Sequence, residues 1–193
     1  MIKSNNKDLF IPQMISKKTV ISSKWTEVVQ EDFKTNNGRT GSYIIVERKP
    51  ALMILPLLII NKVIYTYLVK QYRYPIAKEV WQFPMGTLED GSEPLEQAKK
   101  ELQEETGLIA DNIYFLNKYY IDPGLSRQQC YVFIAEAITE GGKQMLEESE
   151  AGMVAKRFTM DELEILITDN KLIDGWIYPA YFLLKQYINN KII

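Results

Sequence analysis

The chain has 193 residues, 46% of them hydrophobic and 25% charged, the balance of one soluble globular domain with room for a small appendage. A net charge of −2 without any basic block argues against a nucleic-acid partner, and the single cysteine, Cys130, excludes an internal disulfide. The absence of histidine removes Ser-His-Asp and Cys-His nucleophiles and imidazole zinc sites, leaving carboxylates, Lys, Arg, Tyr or a cation held by oxygen.

Residues 1–18 are polar and mixed, without the apolar centre of a signal peptide. Residues 19–34, rich in Val, Ile, Trp, Thr and Phe, read as one or two strands, and Asn36-Asn37-Gly38 marks a turn into a strand over 42–48. A second hairpin is expected from residues 52–60 and 63–71 about Asn61-Lys62, with strands covered on both faces. The apolar run 51–60 is far shorter than the ~20 residues a membrane helix needs, so no membrane partner is expected and the protein should be cytoplasmic. Residues 74–84, with two prolines, and 86–91 read as loops. A helix over 93–106 follows, with Ser92 as N-cap, Pro94 in the first turn, Gly107 as the stop, and Leu95, Ala98 and Leu102 facing the core.

Strands are expected over 113–120 and 129–137, flanking Asp122-Pro123-Gly124, with Cys130 as a small buried hydrophobe. The acidic residues 140–152 read as a mobile loop, 154–158 as a strand, and 160–169 and 178–189 as helices. Trp176 and Tyr178 read as packing residues. Strands, one central helix, more strands and then helices make an α/β (mixed α+β) fold with a mixed sheet. Residues 1–50 form an N-terminal β appendage and residues 51–193 the main domain.

Glu101, Glu104 and Glu105 stand at i, i+3 and i+4 on the central helix, so their carboxylates crowd one face. In an isolated helix such like-charge pairs cost about 0.2–0.5 kcal/mol each, a repulsion that a divalent cation would reverse. On spacing alone a solvated acidic face is the plainer reading.

The surrounding residues favour the other reading. Gly86, Glu101, Leu102, Glu104, Glu105, Gly107 and Leu108 fill seven of the nine defined positions of the Nudix box, which this stretch closely resembles. That box runs G, five residues, E, seven residues, R-E-U-x-E-E-x-G-U, with U a bulky aliphatic. Ser92 stands where the box has its first Glu and Lys100 where it has Arg, two side chains that in the family hold the loop against the helix. Lys100 keeps the charge without the bidentate fork, while Ser92 loses the carboxylate, for which Glu89 and Glu93 are near enough in sequence to compensate. Gln71-Tyr72-Arg73, Val80-Trp81-Gln82-Phe83-Pro84-Met85-Gly86 and Asp122-Pro123-Gly124-Leu125-Ser126 resemble the ADP-ribose pyrophosphatase branch, with Gln82 for the usual Glu and Met85 for the usual Ala.

The resemblance implies a Nudix α/β/α sandwich and a homodimer formed through the N-terminal appendage. Glu101, Glu104, Glu105 and the Met85 carbonyl would hold Mg²⁺, with Mn²⁺ as the alternative ion, and Arg73 would contact a diphosphate. Trp25 and Tyr43 occupy the places of base-stacking aromatics, with ordinary hairpin packing as the alternative. The catalytic base would be Glu148 or Glu150, or Glu104 within the box. The implied reaction is hydrolysis of a small nucleoside diphosphate derivative, foremost ADP-ribose to AMP and ribose 5-phosphate. Alternatives are a GDP-mannose-type nucleotide-sugar diphosphatase and a decayed domain that binds a nucleotide without cleaving it.

Overall fold

The computed structural model of the protein describes residues 11–169 and 173–192, so the first ten residues of the expected appendage lie outside the described residues. The chain divides into two compact units, one taking the chain up to Lys49 together with Tyr120–Gln128, the other taking Pro50–Tyr119 and Gln129–Ile193.

The first unit is built on an antiparallel sheet of β1 (Gln13–Ser22), β2 (Glu27–Lys34) and β3 (Thr40–Glu47) in that order. Ser23 tightens the first turn, its Oγ accepting from the Thr26 N–H at 3.1 Å. Gly38, at φ +85°, turns the second, as its Asn-Asn-Gly signal foretold. The β2–β3 register runs unbroken from Glu27↔Glu47 to Lys34↔Thr40, whereas β1–β2 slips twice. All ten residues of β1 are exposed. Arg127 ties the 120–128 segment to this sheet, donating to both Glu31 oxygens at 2.6 and 3.0 Å and to Glu47 at 2.7 Å.

In the second unit, β4 (Ala51–Pro56) is buried at every residue, as an apolar run without alternation requires of a strand covered on both faces. It pairs parallel with β10 (Gln129–Thr139) and antiparallel with β8 (Met85–Thr87), giving the mixed order β8-β4-β10-β9 with β9 at Ile109–Tyr120. The single strand expected over 52–60 is two. Pro56 has no N–H to continue the ladder, and after Leu57 donates to the Ala135 carbonyl at 2.8 Å the chain leaves for another sheet. There β5 (Leu58–Ile60) and β6 (Val63–Arg73) form the expected hairpin, with Asn61 and Lys62 both left-handed at φ 51° and 68°.

The expected loop over 74–84 is instead a 3₁₀ turn, Tyr74–Ile76, followed by β7 (Lys78–Gln82), whose Val80 and Gln82 are buried where it pairs with β6. β11 (Val154–Thr159) flanks β6 on the other side.

Helix α1 (Pro94–Thr106) packs against β4, β8 and β10 around Leu52, Ile54, Ala98, Leu102 and Phe133. Its N-cap position is Glu93 rather than the expected Ser92, and no side chain caps it; the Ser92 N–H donates to the Glu89 carbonyl at 3.1 Å. Leu95, expected in the core, is 36% exposed, while Gln97 is buried. Gly107 ends the helix at φ +71°. Helix α2 (Met160–Thr168) opens with a capping box between Thr159 and Glu162, and α3 (Ile177–Ile192) buries Ile177, Ala180 and Leu184. Among the described residues no helix is long and apolar enough to cross a membrane.

Candidate functional site

Glu105 projects from α1 into the second unit and is 1% exposed. Its Oε2 accepts from the Met85 N–H at 2.9 Å, which joins α1 to β8. Burial drives the Glu105 carboxyl well above the ordinary carboxylate range, opposed by the Met85 hydrogen bond and reinforced by Glu150 and Glu101. Arg73 acts the other way on the same carboxyl.

Glu101 lies one turn earlier, and burial pushes its carboxyl up to about 7, against a hydrogen bond from Gln97 and with help from Glu104 and Glu150. A Cβ on Gly86 would collide with the Glu101 carboxylate, so the box glycine is there because β8 passes directly under that side chain. Glu104, the third member, pairs with Lys100 at 3.4 Å along the helix.

Three glutamates on one helix face, two of them desolvated and repelling each other, are a donor set suited to a hard divalent cation. Among the described residues no three carboxylates are already drawn together as they would be around an ion. Glu104 is engaged with Lys100 and Glu105 with the Met85 amide.

Arg73, at the end of β6, donates to the Gln82 side-chain oxygen on β7 and stands 3.8 Å from Asp174. Glu150 ends a short 3₁₀ turn, Glu148–Glu150, with one oxygen accepting from the Glu147 N–H at 3.0 Å. It is the loop carboxylate whose charge acts on both Glu101 and Glu105. The preceding loop is fastened to the C-terminal end of α1, where Gln144 donates to the Glu105 carbonyl at 2.5 Å and Met145 to the Glu104 carbonyl at 2.8 Å. Gly107 and Gly142 meet backbone to backbone there, each lying where a Cβ on the other would strike its carbonyl. Trp25 and Tyr43 belong to the first unit and are both 54% exposed, Trp25 under the Lys24 ammonium and Tyr43 beside the Phe33 ring.

Sequence reasoning missed Gln97 and Gln144, and noted Gln82 only as a departure from the motif. Gln97 carried a signal, since positions 97, 101 and 105 recur every four residues on one helix face. Gln144 and the contact that Gln82 makes declare themselves only through the fold.

A NUDIX domain family model matches residues 60–181. The ADP-ribose pyrophosphatase of Bacillus subtilis (strain 168) is 31% identical over 153 residues, which cover 79% of this chain and 81% of that one. The methanol dehydrogenase activator of Bacillus methanolicus is 26% identical over 191 residues, 95% of this chain and 98% of its own. A solved structure of an ADP compounds hydrolase superposes with a TM-score of 0.81 over 96% of this chain and 98% of that one, at 22% identity, a likeness of fold that establishes the α/β/α sandwich. The chain belongs to the Nudix hydrolase family, in its ADP-ribose pyrophosphatase-like branch.

Proposed function

We propose that the protein hydrolyses the diphosphate of ADP-ribose to AMP and ribose 5-phosphate with Mg²⁺, Mn²⁺ being the alternative ion. The observation that carries this reading is the gathering of charge about the buried Glu105, which accepts from the Met85 N–H and whose carboxyl feels Glu101, Glu150 and Arg73 within one unit. The 31% identity to the Bacillus subtilis ADP-ribose pyrophosphatase supports the substrate.

Glu101, Glu104 and Glu105, with the Met85 carbonyl, would hold the ion, which when bound supplies positive charge to the diphosphate oxygens and lowers the pKa of water. Arg73, kept in place by Gln82 and Asp174, holds a phosphate by charge-assisted hydrogen bonds and meets the charge that grows there in the transition state. Glu150 takes the proton of the attacking water, a role its position beside two raised carboxyls suits better than that of Glu148. Trp25 and Tyr43, exposed and aromatic, are the adenine-stacking candidates. The exposed apolar residues of β1, among them Met14, Ile15, Val20 and Ile21, support assembly as a homodimer through residues 1–50, and we read the protein as cytoplasmic.

A second reading, another ADP-sugar as substrate, is favoured by the mouse ADP-sugar pyrophosphatase, 25% identical over 195 residues. Product chromatography on ADP-ribose, other nucleoside diphosphate sugars and dinucleotides, with Mg²⁺ and with Mn²⁺, separates the two. Cleavage of ADP-ribose to AMP that vanishes in Glu105→Gln is the expected result. Silence on every substrate from folded protein would mean a domain that binds without cutting.

A further inference from the structure

In this chain the box lacks both side chains that should brace its loop on its helix. Ser92 reaches the loop through its backbone, and Lys100 lies along the helix on Glu104. Between them, where a long carboxylate from 92 and a guanidinium from 100 would reach, an open cavity of about 290 Å³ is lined by Glu89, Ser92, Glu93, Glu96, Gln97 and Lys100.

One side chain of that lining spans the gap. Gln97 is 9% exposed, and its oxygen accepts from the Glu89 N–H at 2.9 Å while its amide donates to the Thr87 carbonyl at 2.6 Å and to Glu101 Oε1 at 3.3 Å. Thr87 ends β8, Glu89 lies in the loop that follows and Glu101 is on α1, so a single amide joins strand and loop to the helix and aims the carboxylate. Only a primary amide offers one acceptor and two donors from one planar group. A carboxylate at 97 could not donate to Thr87 and would repel Glu101.

We infer that Gln97 is a positioning residue that takes over the bracing of the box in place of the family's Glu and Arg, orienting Glu101 for the divalent cation. This rests on the functional reading above only in that Glu101 serves the ion, and it is tested without substrate.

The probe is Mn²⁺ binding to the full chain, followed by electron paramagnetic resonance. Gln97→Met keeps the length and loses all three hydrogen bonds. It should weaken Mn²⁺ binding about tenfold, the scale on which residues that orient metal ligands act. The same substitution made in a Ser92→Glu, Lys100→Arg background should cost less than about twofold, because the restored pair then braces the loop. Equal losses in both backgrounds would overturn the inference. So would a lowered Tm with unchanged Mn²⁺ affinity, which marks a residue that merely packs. Should Gln97→Met fail to fold, Gln97→Asn, one carbon too short to span the gap, carries the same comparison. An unresponsive substrate panel alongside coupled Mn²⁺ affinities would sink the ADP-ribose reading and leave the role of Gln97 standing.

Discussion

At the scale of single residues, the two raised carboxyls work against folding and for ion binding. Burial makes the charged form of Glu105 costly, a cost that the Met85 amide and the Arg73 charge offset only in part. Replacing it with Gln keeps the shape and an acceptor for Met85 and removes the charge. Glu105→Gln should therefore melt a few degrees higher than the wild type without metal at pH 8, while turnover falls at least about 100-fold. A variant that is both less stable and fully active would contradict the geometry. Glu101 gives the pH dependence. Its ordinary value of 4.5 is raised to about 7 in the folded protein, chiefly by burial. Between these values the folded chain holds a proton that the unfolded chain has released, so raising the pH through this window destabilises the metal-free protein, and the penalty is complete above about 7. Urea denaturation in the presence of a chelator should show Glu101→Gln gaining on the wild type from pH 5.5 to pH 8. A gap of constant size would refute the shift.

At the scale of elements, the helix glutamates were legible because their spacing is local, three and four residues along one helix. Their surroundings were less so. The Arg73 partners come from β7 and from the stretch before α3, and no periodicity relates those positions to β6. The continuous apolar run 51–60 read as one strand because burial on both faces looks alike whether the run serves one sheet or two, and only Pro56 hinted at the break. Likewise β7 hid behind two prolines, and its buried Gln82 next to the less buried Trp81 breaks the apolar alternation that marks a strand. The helix begins one residue later than a serine's capping preference indicates, with Glu93 at the cap position and no side-chain cap hydrogen bond. The 140–150 loop gives a prediction of its own. Gln144→Leu removes its hydrogen bond to the end of α1, so Glu150 loses its fixed distance from the helix. We expect kcat to fall about tenfold with Mn²⁺ affinity unchanged, the separation that distinguishes a proton acceptor from an ion ligand. Equal loss of both would assign Glu150 to the ion.

At the scale of the whole molecule, the N-terminal sheet recruits a distant stretch, 120–128, into its own compact unit. The sequence likened Asp122-Pro123-Gly124 to a family loop without showing which strands would hold it. Arg127 supplies the reason, with Glu31 and Glu47 on β2 and β3 gathering around one guanidinium, which keeps the Glu31 carboxyl below its usual range. Arg127→Met should speed amide exchange in residues 121–128 several-fold while β2–β3 amides keep their protection, as expected where a half-exposed guanidinium on a buried carboxylate orders a loop rather than a sheet. Unchanged exchange would place the loop's order in its backbone bonds, such as Val46 N–H to Leu125.

The backbone meeting of Gly107 and Gly142 binds the history of two positions together. Gly107 is a box residue and Gly142 is not, yet a side chain at either would wedge the loop from the helix end and carry Glu150 with it. Descendants of this sequence are not free to let Gly142 drift alone.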